Sequence, residues 1–117
     1  RAVCVQDIGL VINPDLVRAQ IEGNVMHAIG QVLMERAPVA NGGIAARRFS
    51  DYPTPTFADA PQIEVALIGD ASIAPAGAGE TALIAAVPAL ANALRDASGF
   101  RATRLPVRFD DLPAPAT

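Results

Sequence analysis

The sequence predicts an α/β fold (α+β in arrangement), a two-layer piece with two helices packed on a small sheet. Three observations lead there. Short β-type runs stand near both ends and in the middle of the chain. A long stretch with helical apolar spacing follows a strong helix start, and a second, Ala- and Leu-rich helix follows a glycine loop. The 117 residues are enough for one compact domain and too few for two. We divide them into a folded part, 1–110, and a Pro/Ala-rich tail, 111–117, expected to be flexible.

The elements follow in order. Ala2-Val3-Cys4-Val5 is a short strand run, broken by Asp7-Ile8-Gly9. Asn13-Pro14-Asp15 supplies a helix N-cap, a proline at the first helical position and an acid in the first turn. From Leu16 to about Arg36, Val17, Ile21, Val25, Ala28 and Val32 form one apolar stripe. A second row, Gln20, Gly23, His27 and Gly30, is small and polar. Glycine within a helix costs up to about 1 kcal/mol against alanine, so this row is expected to be approached closely by something. Residues 37–61, with Gly42-Gly43, Pro53 and Pro55, read as a long loop. In the strand run 62–68, Ile63, Val65 and Leu67 alternate with Gln62, Glu64 and Ala66. Residues 70–79 form a loop ending in Gly77-Ala78-Gly79. A helix is expected from Glu80 to about Ala97, bent or divided at Pro88 and ended by Ser98-Gly99. Thr103 to Phe109 reads as a last extended run, with Leu105 and Val107 pointing the same way.

Composition excludes several functions. The net charge is −3, and the nine positive residues are all arginine, dispersed among acids. There is no basic stripe for nucleic acid and no polybasic membrane anchor. Cys4 is the single cysteine, which rules out an intrachain disulfide and a multi-cysteine metal site, and its apolar neighbours suggest a buried free thiol. Aromatic residues make up 4% with no Trp, so the core must be built from small aliphatic side chains. No apolar run nears the roughly 20 residues that span a bilayer. Arg1 reads as lying inside a strand, so the chain looks like a piece of something longer. Its compartment, cytoplasmic or periplasmic, stays open.

The sharpest local feature is Gly77-Ala78-Gly79-Glu80, where a loop enters a helix. Glycines there allow close backbone approach to a ligand or a positive φ. A helix N-terminus favours a negative charge. Glu80 is therefore either a chemically active carboxylate or a first-turn acid that caps its helix. Gln20 can donate and accept hydrogen bonds toward a cofactor. Glu22, four residues after Arg18, is a candidate surface partner for it. His27 stands without a second metal-ligating group in any recognisable spacing.

Asp7-Ile8-Gly9, Ile12-Asn13-Pro14, Gln20-Ile21-Glu22-Gly23 and Ile29-Gly30 together resemble the C-terminal segment of molybdopterin-binding hydroxylase subunits. Those subunits are of the xanthine dehydrogenase/aldehyde oxidase type, isoquinoline 1-oxidoreductase-like in flavour. The resemblance continues through Tyr52-Pro53-Thr54-Pro55, Asp59-Ala60-Pro61-Gln62-Ile63-Glu64-Val65, Gly77-Ala78-Gly79-Glu80, Pro88-Ala89-Leu90-Ala91-Asn92-Ala93, Gly99-Phe100-Arg101 and Arg104-Leu105-Pro106. It implies a molybdenum-dependent oxidoreductase that hydroxylates an aldehyde or N-heterocycle, with Glu80 as general base. It also implies Gln20, Gly77, Ala78 and Gly79 at the cofactor, taken to be molybdopterin cytosine dinucleotide. The implied partners are the remainder of the molybdopterin subunit and an iron–sulfur subunit or domain. No protein metal ligand is implied, and the 117 residues alone are expected to bind no cofactor, to be inactive and to self-associate through exposed apolar surface. The sequence departs from the family's pattern at Ala19, often glycine, at His27, often glutamine, and at Thr81, commonly proline. The competing reading is a noncatalytic α/β interaction domain in which Glu80 is a helix-capping acid.

Overall fold

A computed structural model describes residues 1–108, 110 and 112. The elements run β1 (Ala2–Asp7), α1 (Pro14–Leu33), β2 (Val39–Ala40), β3 (Gly43–Ile44), β4 (Ile63–Ile68) and α2 (Thr81–Ser98). β1 and β4 pair in parallel, Ala2 against Ile63 through Asp7 against Ile68. Parallel strands need a long crossover, and here it holds α1, a small β2–β3 hairpin and two 3₁₀ turns, Phe49–Asp51 and Phe57–Asp59. The expected structureless loop at 37–61 is thus partly ordered by short local elements. Arg1 closes the open end of the strand pair, its Nε and Nη2 each donating to a Glu64 carboxylate oxygen at 2.8 Å.

α1 begins as its sequence dictates. The Asn13 side chain accepts from the Leu16 amide at 3.0 Å, and Pro14 takes the first helical position. The stripe Val17, Ile21, Val25, Ala28 and Val32 is buried, with Ile21 and Val32 fully so. Around Ile8, Val17 and Ile21 pack Cys4, Val65 and Leu67 from one sheet face, with Val11, Ala78 and Ala82. Burial raises the Cys4 thiol above its ordinary value, as expected for a thiol taken partly out of water. The opposite sheet face, carrying Val3, Val5, Glu64, Ala66 and Ile68, is exposed.

Three expectations need correction. Residues 103–108 form no strand; Leu105 is exposed while Val107 is buried, so the two do not share a face. Pro106 has no amide to give a ladder, and the segment instead docks through the Val107 amide, 2.7 Å from the Val32 carbonyl at the end of α1. α2 is not divided at Pro88 and runs unbroken to Ser98, with Gly99 at φ 73° closing it. Arg18 turns from Glu22 to donate to the Val65 carbonyl at 2.7 Å, tying α1 to β4. Within this chain the row Gln20, Gly23, His27 and Gly30 is open at Gly23, where a Cβ would meet nothing within 4 Å. Only Gly30 is crowded. A Cβ there would run into the Glu35 carboxylate and the Pro55 ring. That carboxylate accepts the Tyr52 hydroxyl at 3.0 Å, which holds the phenol above its ordinary value. Tyr52-Pro53-Thr54-Pro55 therefore fastens the crossover to the end of α1. Phe109 and most of the tail 111–117 lie outside the described residues.

Candidate functional site

The site grows from two loops at the carboxyl ends of the two parallel strands, where open α/β sheets place their ligands. After β1, the Asp7 carboxylate accepts from the Gly9 amide at 3.0 Å, and Gly9 turns at φ 66°. A Cβ on Gly9 would stand 2.5 Å from the Ala74 carbonyl oxygen, so glycine is required both for its backbone angle and for the approach of the second loop. That second loop, 69–80, follows β4 and is bound to the first by backbone hydrogen bonds. The Asp70 amide donates to Gly9, Leu10 to Ile73 and Ala76 to Ile8, at 3.1, 3.0 and 2.9 Å. The Asp70 carboxylate accepts from the Ser72 hydroxyl and amide, which holds it below the ordinary carboxylate value and rigidifies the turn.

The loop then delivers Gly77-Ala78-Gly79-Glu80 to the start of α2. The Gly79 carbonyl accepts from Asn24 Nδ2 at 2.9 Å, and Asn24 is 5% exposed on α1. Thr81, the first residue of α2, receives a hydrogen bond at Oγ1 from Gln6 Nε2 of β1. Glu80 sits between these anchored residues at the N-cap of α2, exposed, and its side chain makes no capping hydrogen bond. Its carbonyl accepts from the Leu83 amide at 3.1 Å.

A cleft of about 260 Å³ opens between the two loops and the first turns of α1. Gln20, Ala78 and Gly79 line it together, over the buried Ile8 and Val17 and beside the exposed Leu10, Ile12 and Leu16. Gly77 and Glu80 do not line the cleft and stand along the same loop beside it. A Cβ at Gly77 or Gly79 would meet nothing within 4 Å, and neither φ is positive, so the fold itself does not require glycine at either position. Those glycines leave the outer side of the loop open to a group from outside this chain. Among the described residues no cluster of His, Cys, Asp and Glu is placed to hold a metal ion, so a metal here would have to arrive with other ligands. His27 is exposed, 3.4 Å from the Gln31 amide nitrogen and apart from the cleft.

The sequence reading missed Asn24 and Gln6. Both carried a signal: Asn24 interrupts the buried stripe between Ile21 and Val25, and Gln6 falls on the inward parity of β1 with Ala2 and Cys4. A polar side chain on an apolar parity must find a partner inside.

Comparison with known proteins adds a family to this geometry. The molybdopterin cofactor-binding domain family matches residues 1–61. A nicotinate dehydrogenase subunit of Pseudomonas putida is 34% identical, over 99% of this chain and 11% of that protein. The beta subunit of isoquinoline 1-oxidoreductase of Brevundimonas diminuta is 38% identical, over 92% of this chain and 14% of that protein. The crystal structure of quinoline 2-oxidoreductase from Pseudomonas putida 86 superposes with a TM-score of 0.79 at 29% identity, over 93% of this chain and 15% of that one. The chain thus spans 11–15% of the length of these three proteins.

Proposed function

The chain belongs to the molybdopterin cofactor-binding domain family, in the xanthine dehydrogenase group of molybdenum subunits, and on that premise we propose that Glu80 is the general base of a molybdenum hydroxylase. The substrate is an N-heteroaromatic compound or an aldehyde; the nicotinate, isoquinoline and quinoline relatives favour the heterocycle. The observation that carries this reading is the state of Glu80. It stands at a helix N-cap yet makes no capping bond with its side chain, and the residues on either side of it are hydrogen-bonded in place. A capping acid would be spent on the amides of its own helix. The competing reading is a noncatalytic interaction domain in which Glu80 serves its helix as an acid at the N-terminus, favoured by the helix dipole without a direct bond.

The residues present fit one wall of a cofactor pocket. Gln20 offers an amide that can both donate and accept, and the unhindered outer side of Gly77 and Gly79 admits a bulky group against the main chain. Ala78 and Gly79 bring backbone polar groups to the same cleft. A cleft of about 260 Å³ is smaller than the roughly 300–1,000 Å³ of small-molecule sites. The other walls therefore come from the remainder of the molybdopterin subunit, and an iron–sulfur subunit or domain carries electrons onward. The molybdopterin, taken in its cytosine dinucleotide form, supplies the two-electron oxidation when bound. Glu80 takes up the proton released as an oxygen nucleophile attacks the electron-poor carbon, and it holds that proton on its carboxylate through the step. Alone, the 117 residues neither bind molybdenum nor turn over substrate.

Glu80→Gln in the full-length enzyme tests this directly. Molybdenum content should stay at the wild-type level while turnover falls by about 10²–10⁴-fold, the loss typical of a removed acid–base group. Near-normal turnover with full molybdenum would overturn the assignment.

A further inference from the structure

We infer that Asn24 and Gln6 are positioning residues that fix Glu80 from both sides, one on the peptide before it and one on the side chain after it. The inference rests on the reading of Glu80 as the base and adds how this chain aims it. Asn24 is 5% exposed, the one buried polar residue among those described, and its Nδ2 donates to the Gly79 carbonyl at 2.9 Å. Gln6, at the inner end of β1, donates from Nε2 to the Thr81 hydroxyl. Residues 79 and 81 are thereby anchored to two different elements, α1 and β1, and residue 80 is held between them.

The need for such anchors follows from the packing around them. Gly77 and Gly79 contribute no side chain, and α2 has no fully buried residue to lock its first turn. Ala78 and Ala82 pack partly buried against the Ile8, Val17 and Ile21 core, and the hydrogen bonds add the direction that such small side chains do not set. A base misplaced by about 1 Å can cost on the order of 10²-fold in rate, so the geometric effect of these bonds matters more than their contribution to stability. In Gln6 the Oε1 atom is buried and has no partner among the described residues, and Nε2 carries the bond to Thr81.

The test uses the full-length holoenzyme. Asn24→Asp keeps the shape of the side chain and removes the donor facing Gly79. Thr81→Val keeps the shape of an exposed residue and removes the acceptor for Gln6, so it remains informative if the buried Asn24 variant fails to fold. Each should lower kcat by about tenfold to a hundredfold with KM and molybdenum content unchanged, and each should speed hydrogen–deuterium exchange in the peptide spanning 77–83. Gln6→Glu, which can still bond the Thr81 hydroxyl, should recover most of the rate lost in Gln6→Met. The same substitutions placed in a Glu80→Gln background should have no further effect on kcat, because they act through the carboxylate. The inference is overturned if the single variants keep wild-type kcat and exchange while Glu80→Gln is slow. It is equally overturned if they slow the Glu80→Gln enzyme as much as the wild type, which is the signature of a general structural defect. A fast Glu80→Gln enzyme is a different result: it removes the base itself.

Discussion

α1 buries Val17, Ile21, Asn24, Val25, Ala28, Ile29, Gly30 and Val32, whereas α2, almost as long, buries no residue completely. The two helices pack on each other, but α1 lies inside, between α2 and the sheet core at Val17 and Ile21, with Val107 docked at its end, while α2 keeps an exposed side. α2 presents small residues, Ala82, Ala86 and Ala89 among them, to a groove of about 800 Å³ that it shares with β1 and the second half of α1. The proposed catalytic carboxylate stands at the start of the loosely packed helix. On the proposed reading its aim comes from directed hydrogen bonds, of Asn24 on α1 and of Gln6 on β1. Stability and aim are thus provided by different residues.

The widest separation between the two helices is expected in truncation. Ile21→Ala, at a fully buried position, should destabilise the chain by about 2–5 kcal/mol. Ile84→Ala in α2, at 77% exposure, should change it by no more than about 0.5 kcal/mol. Urea unfolding of the two variants checks this, and equal losses would break the comparison.

Much of this was legible in advance where local chemistry decides structure. The cap at Asn13, the proline at 14 and the spacing of the Val17–Val32 stripe each act within a few residues, and α1 follows them. The alternation of Ile63, Val65 and Leu67 placed one face of β4 correctly for the same reason. What was not legible depends on residues far apart in sequence. Arg18 chooses Val65, not Glu22, because β4 lies alongside α1. Residues 103–108 alternate like a strand but join neither sheet, and Val107 turns to the end of α1 instead. At the site, the glycine loop and Glu80 were readable as a motif. Their anchors were not, since nothing in the sequence brings Asn24 to Gly79 or Gln6 to Thr81 across 55 and 75 positions.

Gly23 gives a smaller effect whose sign separates this chain from its larger setting. In the 117-residue chain the position is open, so Gly23→Leu should stabilise α1 by about 0.5–1 kcal/mol through helix propensity. In the full-length enzyme, a wall closed over this face would reverse the sign, with overpacking of about 1–3 kcal/mol. Thermal unfolding of both forms reads the difference, and the same sign in both would place Gly23 outside the cofactor pocket.

The smallest effect expected is the acid response of the loop that carries the site. Asp70 is held low by the Ser72 hydroxyl and amide, and Asp59 by the Thr56 amide and hydroxyl. Because both folded-state values lie below the ordinary carboxylate value, these turns are fully stabilised above it and lose that support as pH falls through the depressed values. NMR signals of the Ser72 and Thr56 amides should therefore hold steady from neutral pH down to about pH 4 and move only below it. Asp70→Asn should abolish the movement at Ser72 and leave Thr56 unchanged.

The central claim is that Glu80 takes the proton in the chemical step, and a single-turnover experiment isolates that step. Anaerobic mixing of the full-length, molybdenum-loaded enzyme with excess heteroaromatic substrate gives the rate at which the enzyme's redox centres are reduced, free of product release. With Glu80→Gln, that rate should fall by about 10²–10⁴-fold while the substrate concentration giving half the maximal rate stays within about twofold of wild type, as for a group that acts in the transition state more than in binding. A reduction rate within a few-fold of wild type, at equal molybdenum content, would contradict the account.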